Sequence, residues 1–312
     1  MTILIVTHQR GFESDVVIDR LKTLGFPFFR LNQDDGSNIS QFSFLDIGDG
    51  EKVLLSNDGR SIELSEIRCA WFQQSPPFTG QPNNFEQTLQ RNNLVTFLEA
   101  SFELLAAKWL NKPSNVLRAS NKMLQLHFAS KAGLQIPESC ISNDPSTVRA
   151  FCSKGSAVVK NLNSPWVAED NDTIISYTEL VHDEWIQDDQ PVIFCPLIYQ
   201  RFVERKHDYR VVILGDAVFV SRCDSEKGDL VDVRRNNETG SNFYEHNIDA
   251  EQIIKLRKLM QVFGVNYCSA DFIEDQSGNI FFLEMNLCGA WWWMDNIFDG
   301  KILDTFVRYL TD

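Results

Sequence analysis

The stretch Phe281-Phe-Leu-Glu-Met-Asn286, close to the C-terminal end of the chain, decides the fold. A second strand-like run at 269–274 precedes it, and a turn separates the two, so the pattern predicts a β-hairpin. Because side chains alternate along a strand, Glu284 and Asn286 lie on the same face. The hairpin can bring Asp271 of the partner strand beside them.

These three oxygen-bearing side chains predict a Mg²⁺ site. Mg²⁺ is a hard cation that keeps several waters and binds substrate phosphates as well as carboxylates. The alternative is a solvated polar strand face. The apolar residues Phe281-Phe-Leu283 favour burial, and a buried carboxylate needs a cation or hydrogen-bond donors. We therefore predict Asp271, Glu284 and Asn286 as the metal ligands.

Two lysines upstream are candidates for binding phosphate. Lys160 ends the apolar run Ala157-Val-Val-Lys160, and a lysine on such a strand can reach a phosphate as a point charge. Lys122 begins a predicted helix over 121–132. For either lysine alone, the alternative is an ordinary surface lysine whose stem covers apolar surface.

The segment Gln200-Arg-Phe-Val-Glu204 and the following Arg210 fit an anionic nucleotide. An extended segment can offer backbone groups to adenine and a carboxylate to ribose, and Arg210 can neutralise a phosphate or an acyl phosphate. Residues 201–235 contain eight Lys or Arg against seven Asp or Glu, whereas the whole chain has 29 against 43. Positive charge is therefore concentrated in this region. A salt-bridged sheet edge is the alternative.

Composition excludes several other classes of protein. The formal net charge of −14 disfavours binding to nucleic acid or to anionic membrane surfaces, and no apolar run reaches the roughly 18 residues of a spanning helix. Neither a P-loop motif nor a glycine-rich dinucleotide motif is present. The seven cysteines include no C-x-x-C pair, which is typical of reduced thiols in a cytoplasmic protein.

Other segments give local predictions. A helix is predicted over 84–107, with Phe85 and Leu89 on or near its apolar face. Residues 112–120 contain Pro, Ser and Asn and are interpreted as a connection between domains. Asp249 and Gln252 resemble a capping box at the start of a later helix.

The order of lysine, strand lysine, arginine and Asp…Glu-x-Asn resembles that of the ATP-grasp superfamily. The finer resemblance is to the graspetide (microviridin-type) macrocyclases, ATP-grasp ligases that mature ribosomal peptides. It rests on several motifs: Arg30-Leu-Asn32, Trp109-Leu-Asn-Lys-Pro113, Ala119-Ser-Asn-Lys122, Asp208-Tyr-Arg210, Asp232-Val-Arg234, and Phe282-Leu-Glu-Met-Asn286 with Gly289.

This resemblance implies an α/β (α+β) protein with the ATP-grasp fold. Its three units are a pre-ATP-grasp α/β domain at 1–115, a central ATP-grasp subdomain at 116–192 and a C-terminal ATP-grasp subdomain at 193–312. ATP would lie between the last two. The resemblance also assigns roles: phosphate binding to Lys122 and Lys160, adenine lining to Gln200, Phe202 and Val203, ribose binding to Glu204, phosphate or acyl-phosphate stabilisation to Arg210 and Arg234, and Mg²⁺ binding to Asp271, Glu284 and Asn286.

The implied activity is an ATP-dependent ligase that forms ω-ester or ω-amide crosslinks in a precursor peptide through an acyl phosphate. The partner would be a peptide with acidic and Ser, Thr or Lys residues, and the enzyme a homodimer. One alternative is a ligase that adds a free amino acid to a peptide or small acid. Another is a nucleotide- or peptide-binding module without catalysis, since Asn286-Leu-Cys-Gly289 replaces the family's Asn-Pro-x-Gly and 161–171 contains no glycine.

Overall fold

The computed structural model describes residues 2–33, 43–46, 51–57, 59–73, 84–162, 166–169, 172–187, 189–224, 231 and 243–312. The strands are β1 (Thr2–Thr7), β2 (Phe28–Asn32), β3 (Ser43–Asp46), β4 (Glu51–Asn57), β5 (Arg60–Glu63), β6 (Ile67–Phe72), β7 (Lys108–Leu110), β8 (Ser139–Ser142), β9 (Ala157–Lys160), β10 (Trp166–Glu169), β11 (Asp172–Ile175), β12 (Glu179–Leu180), β13 (Leu197–Arg201), β14 (Arg205–Leu214), β15 (Ala217–Asp224), β16 (Phe243–Glu245), β17 (Tyr267–Asp275) and β18 (Ile280–Asn286). The α-helices are α1 (Phe12–Leu24), α2 (Phe85–Leu104), α3 (Pro113–Ala119), α4 (Lys122–Lys131), α5 (Pro145–Cys152), α6 (Asp183–Gln187), α7 (Asp189–Ile193), α8 (Ala250–Phe263), α9 (Trp292–Asp295) and α10 (Lys301–Thr311).

The N-terminal sheet is parallel, with the strand order β2-β1-β6-β7. The inner strand β1 is apolar from Ile3 to Val6, because both of its faces are covered. Ile3 and Ile5 pack in the cluster that contains residues of α1 and α10, whereas Leu4 and Val6 pack in the cluster that contains residues of α2. The carboxyl ends of β1 and β6 therefore meet at one edge of the sheet.

A small antiparallel sheet follows, with the strand order β12-β9-β13-β8. It encloses a cluster of five buried residues: Val148, Phe151, Ala157, Val192 and Tyr199. Strand β13 pairs with both β8 and β9, so it belongs to this central sheet, although the predicted boundary at 192 precedes it.

The C-terminal sheet is antiparallel and larger, with the strand order β16-β15-β14-β17-β18. One face packs against α8 and α4 through a large apolar cluster that includes Val211, Phe272 and Phe282. The other face packs against α9 and α10 at one end, through residues such as Val212 and Phe219. At its other end this second face carries charged side chains.

Most of the predicted elements are confirmed, including the hairpin at 269–286 and the helices at 84–107 and 121–132. The connection predicted at 112–120 is wrong, because α3 occupies it. Proline is compatible with the first position of a helix, which is where Pro113 lies.

Two details of the predicted helices are also wrong. Phe85 and Leu89 are exposed (78% and 48%), because the first half of α2 extends beyond the core that covers Leu94 and Leu98. There is no capping box at α8. Asp249 accepts a hydrogen bond from the backbone of Glu251 instead.

In the described part of the chain, all seven cysteines are free thiols. No helix there combines the length and the apolar character needed to cross a membrane.

Candidate active site

The three predicted metal ligands converge on the β17–β18 hairpin. Asp271 lies opposite Glu284, and Ser269 lies opposite Asn286. The Asn286 Nδ2 atom donates to Asp271 Oδ2 at 3.3 Å and to Glu284 Oε1 at 3.1 Å. Turning the Asn286 amide over would place its oxygen in the same position, so the three side chains can present oxygen atoms to one cation.

Arg210 of the neighbouring strand β14 lies opposite Asp271. Its Nη1 atom donates to both carboxylate oxygens of Asp271, at 2.6 and 2.8 Å, and Nη2 donates to the Ala290 carbonyl at 3.4 Å. Burial is the largest single effect on Arg210 and lowers its pKa, but the charge and hydrogen bonds of Asp271, together with the charges of Tyr267 and Glu284, outweigh burial and raise that pKa. Burial raises the pKa of Asp271, and Arg210 offsets this only in part.

The two lysines face Glu284 from other elements. Lys122, the first residue of α4, has its Nζ atom 3.4 Å from Glu284 Oε2 and 3.3 Å from the Asn161 carbonyl oxygen. Lys160 lies at the end of β9. Burial is the largest single effect on Glu284 and raises its pKa, but the charges of Lys122 and Lys160, together with hydrogen bonds from Asn286 and Lys122, outweigh burial and lower that pKa to about 2. The Glu284 carboxylate is therefore ionised and surrounded by cations.

Gln200 orients Lys160. Its side chain belongs to a residue that is only 2% exposed, and its Oε1 atom accepts from Lys160 Nζ at 2.9 Å. Its Nε2 atom donates to Ser139 Oγ at 2.8 Å. From the sequence, Gln200 is predicted to line the adenine. In the structure its side chain contacts Lys160, which is a candidate for binding phosphate.

Phe202, Val203 and Glu204 line a cavity of about 390 Å³ between the central and C-terminal sheets. Its other walls include Pro137, Glu138, Arg201, Asp275, Gln276, Ser277 and Phe281. Cavities of this size bind small ligands. Among the described residues, no backbone group of Val203 or Glu204 has a hydrogen-bond partner, so these groups are available to a purine.

The charges in this region fit a magnesium–nucleotide complex. Three cations, Arg210, Lys122 and Lys160, surround two carboxylates, Asp271 and Glu284, which leaves one net positive charge among these five groups. Buried charges require partners. A metal ion bound by the carboxylates would release the lysines and the arginine to bind phosphate, so the donor set suits both ligands.

Arg234, the second predicted catalytic arginine, and the rest of its motif at 232–234 lie outside the described residues. Its assignment remains a prediction.

The structure also shows polar residues that the sequence did not single out. Glu13 and Gln73, from α1 and the end of β6, line a narrow crevice with Tyr267 and Gly289 of the C-terminal part. A possible sequence signal is their position after two apolar strands, because ligands of parallel α/β sheets bind beyond the carboxyl ends of the strands.

Comparison with known proteins supports the fold. Residues 2–116 match the family model of the MvdD pre-ATP grasp domain. The chain is similar to a RiPP-associated ATP-grasp ligase from Chryseobacterium gregarium, described in complex with ADP and a leader and core peptide. The TM-score is 0.87 at 23% identity, with 99% of this chain and 96% of that chain covered.

Two further structures have the same architecture. The macrocyclase MdnC from Microcystis aeruginosa MRC, bound with precursor peptide MdnA, gives a TM-score of 0.87 at 21% identity and covers 100% and 99% of the two chains. The ATP-grasp ligase PsnB, with a precursor variant, Mg and ADP, gives 0.73 at 18% identity and covers 98% of each chain. The comparison with curated proteins gave no match.

The chain therefore has the ATP-grasp fold with an N-terminal pre-ATP-grasp domain. This confirms the α/β fold class and the resemblance inferred from the sequence.

Proposed function

We propose that this protein is an ATP- and Mg²⁺-dependent ligase that crosslinks side chains of a ribosomally made precursor peptide. One observation carries the proposal: two carboxylates, an amide, two lysines and an arginine converge, and the residues that follow Gln200, the partner of Lys160, line a cavity of about 390 Å³. The ATP-grasp ligases and macrocyclases named above share the fold over almost the full length of both chains, which supports the same class of reaction.

The first step joins phosphate to the substrate. A side-chain carboxylate of the peptide attacks the γ-phosphorus of ATP, ADP leaves, and an acyl phosphate forms. Lys122 and Lys160 bind the phosphates, and Arg210 neutralises the charge that develops on the transferred group. Asp271, Glu284 and Asn286 would hold Mg²⁺, which supplies positive charge at the phosphate oxygens.

The second step closes the ring. A hydroxyl or amino group of the same peptide attacks the acyl carbon, and phosphate leaves, giving an ω-ester or an ω-amide. The protein contributes mainly by holding the two groups in position. The proposal includes a cytoplasmic location, a homodimer, a peptide with acidic and Ser, Thr or Lys residues, and a boundary at 115 between the pre-ATP-grasp domain and the central subdomain.

The test uses the purified chain with ATP, Mg²⁺ and short acidic peptides that carry Ser, Thr and Lys, starting with those encoded beside its gene. We expect peptide-dependent ADP release and a peptide that has lost one water for each crosslink, measured by mass spectrometry. A peptide that gains the mass of an amino acid would indicate the alternative ligase. Nucleotide binding without ADP release for any peptide would indicate a binding module.

A further inference from the structure

The crevice between the N-terminal sheet and the segment 289–292 lies next to the proposed reaction centre. The segment begins three residues after Asn286, and its Ala290 carbonyl accepts a hydrogen bond from Arg210. The N-terminal domain contacts the same segment: the ring centroids of Phe12 and Trp292 lie 5.4 Å apart, and Glu13 lines the crevice with Gly289. Gly289 and Ala290 are adjacent residues, so Glu13 and Arg210 lie close to the same short segment.

A chain of hydrogen bonds holds Glu13 in place. Thr7 Oγ1 donates to Gln73 Oε1 at 2.7 Å, which leaves the Gln73 Nε2 atom to donate to Glu13 Oε2 at 3.2 Å. Thr7 is completely buried, and its hydroxyl also contacts that of Ser14 at 2.9 Å. The orientation of the Gln73 amide is therefore fixed by the interior of the N-terminal domain.

Gly11 permits this arrangement. A Cβ atom at Gly11 would lie 2.3 Å from Thr7 Oγ1 and 2.5 Å from Ser14 Oγ, distances that real side chains do not adopt. Only glycine lets the loop after β1 approach the hydroxyl pair so closely. The first turn of α1, which carries Glu13, is thereby held against the crevice.

Among the described residues, Glu13 is a carboxylate close to the segment 289–292 that forms no ion pair. Asp271 is paired with Arg210, and Glu284 is paired with Lys122. Glu13 accepts a hydrogen bond from Gln73 through one of its two oxygens. It also lies after β1, which neighbours β6 where the strand order of the parallel sheet reverses, and ligands bind at such points.

We propose that Glu13, oriented by Gln73, binds the nucleophilic hydroxyl or amino group of the peptide and accepts its proton. This inference rests on the proposed function and assigns a catalytic residue to its second step. The nucleophile's oxygen or nitrogen forms a bond to the acyl carbon, the bond from that carbon to the phosphate oxygen breaks, and phosphate leaves with the electron pair. The proton passes to the Glu13 carboxylate.

The assignment divides the two steps between two parts of the molecule. The C-terminal sheet with the two lysines makes the acyl phosphate, and the N-terminal domain presents the nucleophile to it. A purely structural Glu13 would instead act through the N-terminus of α1, where an acidic side chain has a small stabilising effect. Loss of that effect would impair both steps alike.

The test separates the steps with hydroxylamine, a small nucleophile that captures an acyl phosphate as a hydroxamate without needing the protein to position it. A peptide that the wild-type chain crosslinks is used, so that failure of the proposed function shows first, as absence of any crosslinked peptide. Glu13→Gln, Glu13→Asp and Asp19→Asn are then compared with wild type. Asp19→Asn makes the same change of charge on the exposed side of α1, where Asp19 pairs with Lys22.

We expect Glu13→Gln to slow crosslinking by about 10²-fold, in the range of general-base contributions, while hydroxamate formation and the melting temperature stay at the wild-type values. Glu13→Asp, which keeps a carboxylate, should recover part of the crosslinking rate, and Asp19→Asn should match wild type. Crosslinking by Glu13→Gln at the wild-type rate would overturn the assignment. So would an equal loss of hydroxamate and crosslink in Glu13→Gln together with full activity in Glu13→Asp.

Discussion

The two sheets that flank the cavity of about 390 Å³ differ in how extensively they are packed. The C-terminal sheet has long strands and one face covered by α8 and α4, and Val211, Ala270 and Phe282 in it have no exposed surface. The central sheet encloses only five buried residues, and all four residues of β8 are half-buried.

The difference in packing suggests different roles for the two sheets in ligand binding. Asp271, Glu284 and Arg210 lie on the well-packed sheet, where a rigid support would hold the proposed metal ligands and the arginine in position. Lys160 and Gln200 lie on the small sheet, and regions with few buried apolar contacts open locally at low cost in free energy. We infer that Asp271, Glu284 and Arg210 are already in position before a ligand binds, and that the central sheet, with Lys160 and Gln200, adjusts its position during binding.

The largest effect that we expect concerns stability. Phe272 is 1% exposed and its ring contacts that of Phe282, with 5.5 Å between ring centroids. Phe272→Ala should lower the free energy of unfolding by about 3–5 kcal/mol, measured by urea denaturation. The matched variant is Phe151→Ala in α5, which packs in the small cluster of the central sheet, and it should mainly increase local hydrogen exchange in that region. Equal loss of global stability in both variants would remove the difference between the sheets.

The next effect concerns catalysis. Glu284→Gln removes a carboxylate from the charged face of the C-terminal sheet, and ADP formation with peptide should fall on the order of 10²-fold, about 2.7 kcal/mol. Asp271→Asn should act in the same direction. The control is Glu274→Gln, since Glu274 is hydrogen bonded to Tyr209 on the opposite face. Near-normal ADP formation by Glu284→Gln would contradict the metal assignment.

A smaller effect is expected in the central sheet. Gln200→Ala leaves Lys160 without the acceptor that orients it, so the KM for ATP should rise about tenfold, or 1.4 kcal/mol, with kcat little changed. Steady-state kinetics would measure this. Gln261→Ala, an exposed position on α8, serves as the control. An unchanged KM in Gln200→Ala would show that Lys160 needs no support from Gln200.

The smallest effect concerns the rim of the cavity. Arg201 and Glu138 form an ion pair at 3.4 Å, and the Glu138 side chain is 57% exposed. Such pairs contribute about 0–1 kcal/mol, so Glu138→Gln should change the denaturation midpoint only slightly, and less at high salt. A large loss of stability in Glu138→Gln would mean that surface charge, rather than its small core, holds the central sheet.

The sequence predicts local features of this molecule well. The alternation of side chains along 281–286 places Glu284 and Asn286 together, because strand geometry depends on neighbouring residues. The order of the chemical groups then indicates the ATP-grasp fold. The prediction of secondary structure is wrong where local signals are ambiguous. Pro113 is compatible with both a connection and the start of a helix, and in the structure it begins α3.

Features that depend on tertiary packing could not be predicted. Gln200 points towards Ser139 and Lys160 because of its pairing in the central sheet, which no local pattern specifies. Glu13 and Gln73 are sixty residues apart, and each is an ordinary polar residue until the parallel sheet brings β1 and β6 together. Phe85 and Leu89 fit an apolar stripe, yet no core reaches them.

The most direct test of the central claim is a crystal structure of the chain with Mg²⁺ and a non-hydrolysable ATP analogue. We predict a metal ion about 2.0–2.1 Å from oxygen atoms of Asp271, Glu284 and Asn286, with Lys122, Lys160 and Arg210 turned towards the phosphates. A nucleotide bound away from the charged face of the C-terminal sheet, or a metal ion held by other residues, would contradict it.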